Sequence, residues 1–327
     1  MALGVPDPFN VVQRLERLDG LRRQLLPLPL VDRPRHVDTS VFGPFEPRPA
    51  TALRGRRIGL VASGGSGAAV ALVGVKRAFE EASVDLEAIS ACSGSVLWSA
   101  MWAAGLTAQE MADFSLSWQP EDYLDIQWTG LPRFALSALR GYSGLPTGEA
   151  LERLFDRRLW HMAAGETDVR LSTVVYELER GEVDWFGSEE TPDLTLGELV
   201  RIAVAPPRAA DAVRIEGELY VDGGVVDAFP ADPLVGLDRV FGVDVTAPAK
   251  AAQTLESAQR AELARRSRSA LGESLSPIEP IAPEELHGSA FYYDLFLDRG
   301  RWPDLMRRGY SAAARALAPF SGRRRRA

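Results

Sequence analysis

"RIGLVASGGSGAAVALVGVKRAFEEASVDLEAISACSGSVLWSAMWAAG" occupies residues 57–105, and its reading decides the fold. The first seven residues are an apolar run of strand length, closed by glycines. The glycine-rich turn then opens onto "AVALVGVKRAFEEA" (69–82), apolar at helical spacing. "VDLEAISA" (84–91) is a second β-type run, followed by a helix from about Ser95 to Ala104 that stops at Gly105. Strand, helix, strand, helix with short turns means parallel strands joined by crossover helices.

The alternation continues outward. Thr107-x-x-Glu110 and Thr195-x-x-Glu198 are capping boxes that open two further helices, the second ending at Pro206–Pro207. "VRLSTVVYEL" and "EVDWFG" alternate at period two around "ERGE", the pattern of a hairpin. "VRIEGELYVDGG" (213–224) is a second hairpin whose last strand runs into a glycine pair, and "DRVFGVDV" (238–245) is another strand. The fold class expected is α/β, with a mostly parallel central sheet between helices on both faces. Three regions are expected. Residues 1–55, rich in proline and arginine, form an N-terminal arm or leader; 56–247 form the core. Residues 248–327 form a C-terminal helical segment packing on the core and ending in the basic tail Arg323–Arg326.

Composition narrows the function classes. The 327 residues are 46% hydrophobic and 25% charged, which suits a soluble globular chain. The net charge of −8 argues against nucleic acid as a partner. The first residues lack the basic start and apolar run of a secretion signal, and the best apolar stretch, Val96–Leu106, is too short to span a bilayer. Cys92 is the one cysteine, so no internal disulfide forms, and a cytoplasmic setting is expected. No His, Cys, Asp and Glu set has metal-ligand spacing, so neither metal nor cofactor is expected.

Three motifs stand at the C-terminal ends of expected strands: "SGGSGAA" (63–69), "ACSGS" (91–95) and "YVDGGVVDAFPADP" (220–233). In open parallel sheets that edge is where ligand sites form. Singly each is ordinary: a glycine turn, a helix N-cap, an Asp-Gly-Gly turn. Together, over about Arg57 to Val245, they resemble the patatin-like phospholipase family, serine acyl hydrolases with a Ser-Asp dyad. "GLPTGEALERLF" (144–155) is similar to that family's mid-domain helix.

The resemblance implies the three-layer patatin-like fold and a division of labour. Ser93 is the expected nucleophile on a tight strand-to-helix turn, and Asp222 the carboxylate that accepts its proton. Amides around Gly64, Gly65 and Ser66 are the expected oxyanion hole, a contribution worth about 3 kcal/mol per donor. Gly94, Gly223 and Gly224 are the expected supporting turn glycines. The chain departs from the family pattern at Ser66, Ala68 and Ala69, where a glycine, an arginine and a glycine are usual. At the turn, Ala91 and Ser95 replace glycines. The implied activity is hydrolysis of acyl esters of phospholipids or lysophospholipids through an acyl-enzyme. The expected partners are a lipid or acyl-ester substrate and, peripherally, a membrane surface. The alternatives are an acyltransferase or hydrolase of small-molecule or thioester substrates, and a catalytically silent lipid- or partner-binding chain.

Other residues have plainer readings beside the sharp ones. Ser93…Asp244…His287 follows the chain order of α/β-hydrolase triads, although no strand feeds His287. His36 and His161 read as structural or exposed, Cys92 as a small core residue, and Asp227 and Asp232 as turn and cap residues. Trp98 and Trp102 share a helix face, with core packing the default. "SLSWQPEDYLDIQWTGLPRFAL" (115–136), which includes Trp118, Tyr123 and Trp128, is the candidate lining of an acyl-chain pocket.

Overall fold

Ile58–Ala62, buried without a break, form β1. The run does not alternate polar with apolar because both sides of the strand are covered. Ile58, Leu60 and Ala62 enter the larger hydrophobic core, while Val61 enters a second core on the opposite face. β2 (Ala88–Ala91) lies parallel to β1 with Leu60 opposite Ile89, and β7 (Arg239–Val243) lies parallel on the other side with Leu60 opposite Phe241. The crossover from β1 to β2 is α1 (Ala71–Ala82). This computed structural model describes residues 41–123, 125, 146–207, 210–245, 255–279 and 299–321.

Among the described residues the sheet has eight strands: β5 (Val213–Ile215), β6 (Glu218–Asp222), β3 (Arg170–Glu177), β2, β1, β7 and β8 (Leu275–Ile278) in spatial order, with β4 (Glu182–Gly187) also paired to β3. The pairs β1–β2, β1–β7, β2–β3 and β7–β8 are parallel; β3–β4, β3–β6 and β5–β6 are antiparallel. Both expected hairpins therefore form, and they make the antiparallel flank of a mostly parallel sheet. Helices α1, α2 (Ser95–Ala103), α3 (Ala108–Ser117), α4 (Glu149–Arg158), α5 (Leu196–Ala203) and α7 (Trp302–Leu317) build the larger core. On the other face α6 (Leu255–Leu271) covers the second core through Ala264 and Leu271. Both capping boxes are formed, at Thr107–Glu110 and Thr195–Glu198.

The register of β3 positions the site. Thr173 pairs with Phe186 of β4 and with Ala91 of β2; Tyr176 pairs with Val183 of β4 and with Val221 of β6. A strand has two hydrogen-bonding edges, and β4 occupies one along its length. β2 and β6 must then share the other edge, end to end. β2 ends at Ala91 opposite Thr173, and β6 ends at Asp222 opposite Val175. The antiparallel β6 thus brings its C-terminal end against the C-terminal end of β2, with one β3 residue, Val174, between them.

The segment after 247, expected to be mainly helical, also contributes a strand. Leu275–Ile278 extend the parallel sheet beyond β7, and α7 crosses α1 at glycine-to-backbone distance. Arm residues 41–50 lie on the C-terminal end of α1: the amides of Arg48 and Ala50 donate to the carbonyls of Glu81 (2.6 Å) and Ala82 (2.8 Å). These are carbonyls that a helix end leaves without intrahelical partners. Among the described residues no helix is long and apolar enough to cross a membrane.

Candidate active site

Two turns at the C-terminal edge of the sheet hold non-glycine residues in left-handed backbone. After β1 the chain runs through Ser63, Gly64 and Gly65 to Ser66, at φ +47°, before a short 3-10 turn leads into α1. After β2 it runs through Cys92 to Ser93, at φ +53°, and directly into α2. A left-handed conformation costs an L-residue about 1–2 kcal/mol, and such strain concentrates at functional turns. The turn projects Ser93 out of a buried neighbourhood: Cys92 and Gly94 are buried, Ser93 is half-buried. This is the geometry of a nucleophile elbow.

The two turns are locked together. An ideal Cβ on Gly94 would lie 2.6–2.8 Å from the O, Cα and N of Ser66, so only glycine permits the contact. Ser95, which stands where the resembled pattern has glycine, donates its hydroxyl hydrogen to the Ser63 carbonyl. A buried polar side chain is thereby satisfied, and the departure from the pattern becomes a tie between the loops.

Asp222 enters from the end of β6, 3% exposed. Its main-chain amide donates to the Ala205 carbonyl (3.0 Å), and Oδ1 accepts the Gly224 amide (2.8 Å). Gly223 packs so closely on β3 that a Cβ there would lie 2.4 Å from the Val174 carbonyl oxygen. A Cβ on Gly224 would lie 3.0 Å from Asp222 Oδ1, 3.4 Å from Cys92 Sγ and 3.5 Å from the Ser93 Cβ. One methyl-sized position at Gly224 would therefore touch both the Asp222 carboxylate and the Ser93 Cβ, which places the two side chains on either side of Gly224. Burial, and then the Asp222 and Asp227 carboxylates, push the Cys92 thiol well up. Cys92 stays a neutral packing residue beside the hydroxyl.

The three amides expected to form the oxyanion cradle differ in how the fold engages them. The Gly64 amide donates to the Ala228 carbonyl (3.2 Å) and is thereby engaged within the fold. Among the described residues no backbone carbonyl accepts from the Gly65 or Ser66 amide. Gly65 backs onto Val245, to which its Cβ would come within 2.1 Å, and the Val245 amide donates to Ser63 Oγ (2.9 Å). The sequence pattern marks the glycine loop as a unit; which amide serves the fold depends on a loop 164 positions later in the chain.

The remaining candidates lie elsewhere or have other partners. Asp244 is ion-paired with Arg268. His161 sits after α4, exposed, with Nδ1 3.3 Å from Asp156 Oδ2. Asp227 accepts the Phe229 amide (3.0 Å) and Asp232 opens a 3-10 turn, as turn and cap residues do. Trp98, Trp102 and Trp118 are buried, Trp98 stacked on Trp118 and both edge-to-face with Trp302. His36, His287, Trp128, most of the expected pocket lining and the Arg323–Arg326 tail lie outside the described residues. Among those described, no cluster of three His, Cys, Asp or Glu side chains could hold a metal ion. Sequence reasoning missed the grip of α6 on this site through Ser267 and Arg268, because α6 carries no motif.

Comparison with known proteins bears on this arrangement. The chain matches the sequence model of the patatin-like phospholipase family over residues 60–235, which include all three loops. The chain belongs to the patatin-like phospholipase family. It is 28% identical over 240 residues to "Lysophospholipase NTE1" of Mycosarcoma maydis, a match covering 72% of this chain and 12% of that protein. It is 25% identical over 211 residues to "Lysophospholipase nte1" of Aspergillus niger, covering 64% of this chain and 13% of that one. This patatin-like chain thus spans about an eighth of the length of these curated relatives. Among solved structures, VipD from Legionella pneumophila aligns at a TM-score of 0.49 with 15% identity, covering 81% of this chain and 67% of that one.

Proposed function

We propose that this chain hydrolyses acyl esters of lipids, with lysophospholipids as the first substrate class to test. Ser93 Oγ attacks the ester carbonyl carbon while Asp222 takes its proton. The carbonyl π electrons move to oxygen, and the oxyanion is met by the amides of Gly65 and Ser66. Collapse expels the alcohol, which receives the proton back from Asp222, leaving an acyl-Ser93 ester. Water then attacks this ester with Asp222 as base, and the fatty acid and Ser93 are released. A carboxylate is a weak base at its ordinary pKa, so its service depends on near-complete burial and close approach to the hydroxyl.

The observation that supports this reading is Ser93 at φ +53° on a strand-to-helix turn, beside a Gly224 whose Cβ would reach both the Ser93 Cβ and Asp222 Oδ1. The substrate class is supported by family membership and by relatives named as lysophospholipases. A peripheral encounter with a lipid surface belongs to the same proposal.

A fluorophosphonate probe tests it. Wild-type protein is expected to label, and Ser93→Ala to lose both labelling and at least about 10³-fold in lysophospholipid turnover. Asp222→Asn is expected to remain folded and to fall comparably in kcat. Folded wild-type protein that neither labels nor hydrolyses lipid esters would favour a silent binding role. Faster turnover of acyl thioesters than of lipid esters would move the substrate class.

A further inference from the structure

Asp222 and the glycine loop come from strands far apart in sequence, and their relative placement is set from outside both. The loop after β6 is gripped by two consecutive residues of α6. Ser267 hydrogen-bonds the Asp227 carboxylate, and the Arg268 guanidinium lies 4.3 Å from the centre of the Phe229 ring. That ring is wedged from below: a Cβ on Gly242 of β7 would come within 2.9 Å of Phe229 Cζ. Between these two grips, the Ala228 carbonyl accepts the Gly64 amide, so the loop that α6 holds in turn holds the glycine loop. The same guanidinium pairs with Asp244, immediately before Val245, the residue against which Gly65 packs.

We propose that Arg268 is a positioning residue for the hydrolysis described above. It bonds the strand end behind Gly65 and stacks on the loop that follows Asp222. One planar cation thereby fixes the oxyanion donors relative to the base. An arginine suits both contacts at once, because its fork pairs with a carboxylate while its face lies on an aromatic ring. The residue lies outside the span that matches the family model, residues 60–235. Arg268 touches neither reacting atom in this scheme; it acts through Gly65, Gly64 and Asp222. The inference rests on the hydrolase reading.

The test compares wild type, Arg268→Gln, Arg268→Lys and Asp244→Asn by lysophospholipid turnover, fluorophosphonate labelling rate and thermal melting. Displacing catalytic groups by a fraction of an ångström slows chemistry more than it weakens binding. Arg268→Gln is expected to lower kcat about 30-fold with KM within about twofold, and to slow labelling in parallel. Arg268→Lys, which keeps the charge on Asp244 but not the planar stack, is expected to recover part of the loss. Asp244→Asn is expected to resemble Arg268→Gln, and the double variant to be no worse than either single one. Wild-type kcat in folded Arg268→Gln would overturn the proposal. So would a lysine variant as slow as the glutamine variant, or additive losses in the double variant. If Arg268→Gln does not fold, Arg268→Lys and Asp244→Asn decide by the same criterion. Absence of turnover and labelling in wild type would instead remove the hydrolase reading, and this inference with it.

Discussion

Ser66 and Ser93 both hold positive φ, and the two bear different consequences. At Ser93 the proposed role of the side chain as nucleophile is the reason to keep the strain. At Ser66 the side chain is not required by the contacts, and glycine would adopt φ +47° without the steric cost. Ser66→Gly is therefore expected to stabilise the protein by about 0.5 kcal/mol, the relief of left-handed strain less the entropy of the freed backbone. Thermal melting checks the sign. Gly94→Ala tests the opposite case, since its methyl would meet Ser66 backbone atoms at 2.6–2.8 Å. The loops must part, with a loss of about 2 kcal/mol and at least about 10² in kcat, read by melting and turnover together. Asp227 supplies a pH prediction. Burial is the main cause pushing its carboxyl up, with Asp232 adding to it. The folded state therefore holds a proton more tightly than the unfolded chain. Folding is unpenalised below the ordinary carboxylate range, and stability falls as pH rises from there through the folded value. Asp227→Asn is expected to raise Tm at pH 7 by about 2 °C, with the gain disappearing toward pH 3. A gain independent of pH would mean that the charge is not the cause.

At the scale of elements, the βαβ unit at 57–105 was legible because its signals are local: a buried run, glycines, then helical spacing. Both hairpins were legible from period-two alternation. What was not legible is that β2 and β6 meet head-on along one edge of β3, because register across 130 residues leaves no mark in either segment. The proposed pairing of Ser93 with Asp222 therefore came from family resemblance, while the register shows only that their strand ends meet. The engagement of the Gly64 amide was hidden for the same reason: its acceptor, Ala228, is remote in sequence. The α1–α7 crossing was equally hidden. Gly74 and Gly309 read as ordinary helical glycines, yet a Cβ on Gly74 would sit 1.8 Å from the Met306 carbonyl oxygen, and one on Gly309 2.0 Å from that of Ala71. These are backbone atoms of packed helices with no room to yield. Gly74→Ala and Gly309→Ala are each expected to cost about 3 kcal/mol despite the better helix propensity of alanine. Denaturant unfolding measures it, and a gain in stability at either position would show that the helices do not cross this closely.

For the whole molecule, the family match ends at residue 235, before β7, β8 and α7. Those later elements nevertheless complete the fold. β7 pairs along the whole of β1, β8 covers the far edge of β7, and α6 closes the second core. Trp302 at the start of α7 is fully buried against Trp98, which belongs to the helix that follows Ser93, and against Trp118. A chain ending at Ala247 would keep every motif of the site and lose α6, β8 and α7. Its exposed β7 edge and uncovered α1 face are features that drive aggregation. Such a chain is expected to yield no soluble monomer with a cooperative melt, as read by size-exclusion chromatography and circular dichroism. Trp302→Ala in the full chain asks the same question without truncation. Removing a buried tryptophan typically costs about 3–5 kcal/mol, and here it also withdraws a wall from the helix behind Ser93. Loss of stability together with slowed fluorophosphonate labelling would make the C-terminal region part of the catalytic unit. A cooperative, soluble 1–247 chain that labels at the wild-type rate would make it an appendage instead.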